Sequence, residues 1–146
     1  MSTIDFVTDT ATLCVFDLQA LRHRLHDDAD WWTVPDEELK EVNDGNVAFI
    51  GLGEDGRYKL DVVETLDNGD GQLYLHCPSG RIFLVAGEEV TSDGLEPEAL
   101  RGGTFLALVP GTYQLTFRRV ADRTIALGLR PYIGAANNRI DTPIKI

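Results

Sequence analysis

Cysteine and histidine are scarce in this chain, with two of the first and three of the second among 146 residues. Cys14 and Cys77 lie far apart with no Cys-x-x-Cys spacing, so neither a disulfide scaffold nor a thiolate metal site is expected. Each falls inside an apolar strand pattern, where a free cysteine serves as a small hydrophobe. His23 and His26 could share a helix face near Asp27, Asp28 and Asp30. Spacing places no third ligand, and neither H-E-x-x-H nor H-x-H occurs, so no metal and no cofactor are expected. Serine is equally thin: Ser2, Ser79 and Ser92 are the whole set, none in a G-x-S-x-G elbow. His76 and Cys77 are adjacent, hence on opposite faces of a strand, which defeats a Cys–His pair. Long apolar runs are missing too. The longest, residues 104–109, falls far short of the roughly 20 residues of a membrane span. The opening MSTIDFVTDT shows no basic n-region and no apolar h-region, so the cytoplasm is the expected compartment.

Bases are outnumbered, 13 Lys+Arg against 24 Asp+Glu, for a net charge of −11. Such a surface repels a phosphate backbone, so no nucleic-acid partner is expected. The charge is uneven. Residues 1–100 hold 22 acids and 6 bases (−16), while residues 101–146 hold 2 and 7 (+5). Arg118, Arg119, Arg123 and Arg130 could form an exposed patch. Arg118 and Arg119 point to opposite sides of a strand, however, and the favoured reading pairs these bases with acidic neighbours inside the fold.

What the chain does hold is two-residue alternation punctuated by turns. Over residues 104–131 three apolar runs are separated by Pro110-Gly111 and Ala121-Asp122-Arg123, which predicts a three-stranded antiparallel meander. Residues 12–16 form a first strand, followed by a short helix over 18–26 with Asp17 as its cap. A second helix starts at Pro35, whose missing N–H belongs to an unpaired first turn, and ends near Val42. Two hairpins are expected. One joins 47–52 to 58–65 around Gly-Glu-Asp-Gly, and the other joins 72–77 to 81–86 through Pro78 and Gly80. Residues 87–103 read as a loop with one turn at 97–100, and the tail beyond Ile133 has no clear pattern. The expected fold is mainly β: an antiparallel β-sandwich or jelly-roll-like body of about eight strands, with two short helical insertions near the N-terminus. One domain over residues 1–146 accommodates it.

Several motifs have structural explanations. Gly51-Leu52-Gly53-Glu54-Asp55-Gly56 matches G-x-G-x-x-G, but strand-like residues follow where a dinucleotide site needs a helix. Asp67-Asn68-Gly69-Asp70-Gly71 has the oxygen density of a calcium loop without EF-hand spacing, and a turn is required there. Trp31 and Trp32 are more pointed. They adjoin Val34-Pro35 within residues 27–44, a segment of eight acids and one base, Lys40. They could plug the open end of the sandwich, or serve as partner anchors or a sugar-stacking platform.

In its size, its acidity and a WW–VP–EE insertion ahead of a GNVAFIGLG strand, the chain resembles small acidic bacterial proteins of uncharacterised families. Some of these are encoded beside secreted toxins as immunity proteins. The resemblance carries no functional residues across. It implies a protein that binds and masks a cognate toxin, often a basic nuclease.

The leading expectation is a non-enzymatic binding protein. It would engage a protein partner through Asp28, Asp30, Glu37 and Glu38, with Trp31 and Trp32 as anchors. A carbohydrate- or small-ligand-binding sandwich is the alternative, and predicts a groove lined by Trp31, Trp32, Tyr58 and Tyr74. A metal-dependent enzyme is a third reading, and needs His23 or His26 beside carboxylates.

Overall fold

The computed structural model describes residues 2–28, 30–90 and 102–146, and the turn expected at 97–100 lies outside them. Where apolar and polar residues alternate, strands form. In β8 (Gly111–Ala121), Tyr113, Leu115 and Phe117 are buried, and β9 (Thr124–Pro131) buries Ile125 and Leu127 beside them. These two strands form an antiparallel hairpin with a bulge between Arg119 and Ala121. The third member of the expected meander, β7 (Thr104–Ala107), lies elsewhere. It pairs with β6 (Arg81–Ala86) in a second sheet, and Pro110-Gly111 carries the chain across.

Both expected hairpins need the same correction. β3 (Ala48–Gly51) and β4 (Gly56–Val63) flank the predicted glycine turn but belong to different sheets, as do β5 (Gly71–Cys77) and β6. The physical reason is plain: alternation says that a strand has an inward face. It does not say whether the next turn leads to a neighbour in one sheet or to the facing sheet across the core. Gly80 shows the cost of such a corner. Its φ is 77°, and a Cβ there would lie 2.1 Å from the Leu108 carbonyl oxygen.

Two further strands are β1 (Ser2–Thr8) and β10 (Ile144–Lys145), making ten among the described residues with β2 (Thr12–Asp17), rather than about eight. One sheet runs β1-β4-β9-β8-β5 and the other β10-β3-β2-β6-β7. Most neighbours are antiparallel, but β4–β9 and β10–β3 are parallel, so both sheets are mixed. The expected sandwich architecture stands. The core draws on both sheets, with Phe6, Tyr58, Leu60 and Phe117 from the first and Leu13, Phe16, Ile50 and Ile82 from the second. No described helix is long and apolar enough to cross a membrane.

The helical segments sit between β2 and β3. Leu18–Arg24 is a 3-10 helix rather than an α-helix, and Asp17 caps it by accepting from the Gln19 N–H at 2.9 Å. A 3-10 turn, Trp31–Thr33, leads into α1 (Pro35–Asn43), which begins at Pro35 as expected. The tail then returns along this helix. Asn43 and Ile140 exchange two hydrogen bonds, Asn43 Nδ2 to the Ile140 carbonyl and Ile140 N–H to Asn43 Oδ1. Asn138 accepts from the Tyr74 N–H and donates to the Tyr74 and Val42 carbonyls, so one side chain serves as a partner for the outer edge of β5.

Candidate functional site

The helix α1 is acidic in sequence, yet its buried stripe is Glu38, Glu41 and Val42. That spacing, i, i+3, i+4, is one face of a helix, and here two of its three members are carboxyls. The two are treated differently. Glu41 is fully buried and accepts from His23 Nε2 at 2.7 Å, Arg24 Nε at 2.8 Å and Asn46 Nδ2 at 2.9 Å. Burial works against its charge, but these hydrogen bonds outweigh it and hold the carboxyl below its ordinary value. Glu38 is 9% exposed, and among the described residues none donates a hydrogen bond to it. Burial alone pushes its carboxyl up to about 7.

Arg24 ties this region together. Besides Glu41 it reaches Glu37 and Asp27, and its guanidinium lies 4.7 Å from the centre of the Trp31 ring. Trp32 stacks on Phe49 at 5.1 Å and 14°, while Trp31 meets Phe49 edge-on at 6.0 Å. The tryptophans are 6% and 7% exposed. Their rings seat the helical insertion on Phe49 of β3. Tyr58 is also core, stacked on Phe6, and Tyr74 lies against Tyr132 at a tilt of 41°. The four aromatic residues expected to line one sugar groove do not share one.

Of the expected binding residues, Asp28 and Asp30 are exposed, Glu37 is half-exposed on Arg24, and Glu38 points inward. The structure brings Trp32 and Glu38 together on one open cleft of about 290 Å3, walled also by Phe49, Thr12, Pro143 and Lys145. The sequence did not point to the last four. A tail without periodicity gave no signal that Pro143 and Lys145 return to β3. Ala11, on the same cleft, adopts φ 52°, held in a turn where Glu88 accepts from Thr8, Thr10 and the Asp9 N–H. His23 serves Glu41 and His26 is exposed; among the described residues no three His, Cys, Asp or Glu side chains converge as a metal site. Both thiols are free and buried. Burial pushes Cys77 up to about 12, helped by Asp17, and raises Cys14 as well.

The basic C-terminal strands do not neutralise the acids as expected. Arg118 donates to the Asn68 carbonyl; Arg119 donates to those of Leu52, Asp122 and Ile146. Arg130 reaches Gln114. Of these four guanidiniums, Arg123 meets carboxylates, on Glu54 and near Asp122, while the Arg119 backbone N–H donates to Asp70. Arg118, Arg119 and Arg123 tie loops by their backbone carbonyls, and the Arg119 and Arg123 guanidiniums lie 5.8 and 5.0 Å from the centre of the same Tyr58 ring.

Two mixed five-stranded sheets packed face to face, with a helical insertion seated on one of them, define this protein as a β-sandwich. The chain belongs to the family described as Family of unknown function (DUF6386), whose model matches residues 1–146. Among solved structures it is similar in fold to the protein described as Crocagin biosynthetic gene J. The TM-score is 0.55 at 14% identity, covering 90% of this chain and 98% of that one. A second similar structure is ComJ from Bacillus subtilis, described as an inhibitor of the DNA degrading activity of NucA. Its TM-score is 0.45 at 15% identity, with 90% and 96% covered. No curated protein matches the sequence.

Proposed function

We propose that this chain, acting as one β-sandwich domain over residues 1–146, is a non-enzymatic binding protein. It engages a protein partner of basic surface through the helical insertion, in the manner of an immunity-type neutraliser. One observation carries the reading. Asp28, Asp30, Asp36 and Asp44 are exposed, and among the described residues no side chain meets their carboxylates. The arginines that could have answered them are engaged with carbonyls on other loops. These four carboxylates are left pointing outward on a chain of net charge −11, where they speed encounter with a positive surface and set its orientation. Trp31, Trp32 and Arg24 contribute from beneath, holding the acidic segment rigid so that little ordering is lost on binding.

The test is capture from a lysate of the source organism, with the intact chain as bait. A triple variant, Asp28→Asn/Asp30→Asn/Asp36→Asn, should retain a basic partner at least ~10-fold less well. Equal retention by the variant, or capture of no basic protein, would overturn the reading.

A further inference from the structure

The cleft beside α1 holds a carboxyl that the fold leaves unanswered. Its two threonines are already committed, Thr10 Oγ1 donating to Glu88 and Thr12 Oγ1 to the Thr10 carbonyl. Glu38 is nine-tenths buried with no donor among the described residues, and Lys145, exposed on the wall, makes no ion pair with it. The residue is buried, but its carboxyl oxygens still face the cleft, and desolvation by the surrounding fold disfavours their charge. One turn further along the same helix, Glu41 shows what this fold does with a carboxylate of structural use: it surrounds it with three donors. Glu38 instead opens onto a space walled by Trp32 and Phe49. The missing donor has to come from outside, on a body that suits an aromatic wall. A bare metal ion is poorly served, since among the described residues no three His, Cys, Asp or Glu side chains converge here. An ammonium or guanidinium on an aliphatic stem fits both walls, since its charge meets Glu38 and its methylenes lie along the rings.

We propose that this cleft is a binding site for an alkyl-ammonium or alkyl-guanidinium group, with Glu38 as its acceptor and the Trp32–Phe49 pair as the wall for its stem. The group is either a lysine or arginine side chain of a partner or a free organic amine. The first source rests on the binding function proposed above; the second does not. The other titratable groups facing Glu38 are Cys14 from β2 and Lys145 from β10. Lys145 competes weakly with any incoming cation.

Titration of the full chain with n-butylguanidinium, and separately with the capped tripeptide acetyl-Gly-Arg-Gly-amide, tests this at about pH 8, where Glu38 is ionised. NMR should show saturable shifts at the Trp32 indole N–H and the Glu38 carboxyl carbon, and n-butanol should produce none. Glu38→Gln, nearly the same shape, should weaken binding about ten- to a hundredfold, and Lys145→Gln should strengthen it. Binding by the tripeptide alone assigns the site to a side chain on a partner, and binding by the small cation alone assigns it to a free amine. Absence of shifts with both probes, or equal binding by a folded Glu38→Gln chain, would overturn the proposal. Partner capture that survives Glu38→Gln while neither probe binds removes the cleft alone. Probe binding with capture unaffected by the triple aspartate variant removes the acidic-surface reading alone.

Discussion

Two carboxyls one turn apart on α1 are both buried and are pushed in opposite directions. Unfolded, Glu38 releases its proton near the ordinary 4.5; folded, near 7. Between those values the folded chain keeps a proton that the unfolded chain has lost, so stability falls as pH rises from 4.5 to about 7 and stays lower above it. Glu38→Gln should therefore stabilise the protein by up to about 3 kcal/mol at pH 8 and by almost nothing near pH 4. Urea denaturation at the two pH values reads this directly; a gain independent of pH would contradict it. Glu41 has the reverse sign. Its folded value is depressed, so its contribution is present above the unfolded value and disappears as pH falls through the folded one. Removing its partner with Arg24→Ala leaves a buried carboxylate short of a cation, at a cost of about 3 kcal/mol. Chemical unfolding at neutral pH measures that loss. The sequence placed both residues on this helix. It could not show that they face inward, because in PDEELKEVN the covered stripe is two-thirds acid, the opposite of the usual apolar signal.

Elements meet at single polar side chains. Asp17 ends β2, caps the 3-10 helix after it and accepts from Ser79 N–H, Ser79 Oγ and Gly80 N–H in the corner between β5 and β6. Asp17→Ala strips donors in two connections at once and should cost about 3 kcal/mol, seen as a lowered urea midpoint. Asn138→Ala should leave global stability less affected but expose the edge of β5, so that the Tyr74 amide exchanges markedly faster with deuterium. Trp32→Ala removes a ring packed on Phe49 and should cost about 3–5 kcal/mol. A folded variant of near-native stability would return that ring to the surface role. The Asp17 cap and the Pro35 helix start were legible because caps are local chemistry. Asn138 was not, since one asparagine in an aperiodic tail looks the same whether it meets solvent or a sheet edge.

Across the molecule, the separation of charge along the chain becomes a surface property. The arginines of β8 are held by loop carbonyls and Arg130 of β9 by Gln114, while Asp28, Asp30, Asp36 and Asp44 stay outward. On the proposed function, the association rate with a captured basic partner should fall about tenfold between roughly 50 and 500 mM salt, while dissociation changes little. Stopped-flow or surface kinetics would show it, and a rate indifferent to salt would count against an electrostatic encounter. The sandwich itself was visible in the alternation, whereas the sheet to which each strand belongs was not.

Strand-forming stretches, helix starts, the glycine corners and the acidic insertion follow from residues that are neighbours in the chain, because dihedral preference and side-chain periodicity act over a few positions. The partition of the described strands into two mixed sheets, the return of the tail to β3 and the place of Glu38 on the cleft arise from contacts between residues far apart in sequence. Such contacts are chosen by how two apolar faces and their leftover polar groups fit together, and no local pattern records that choice.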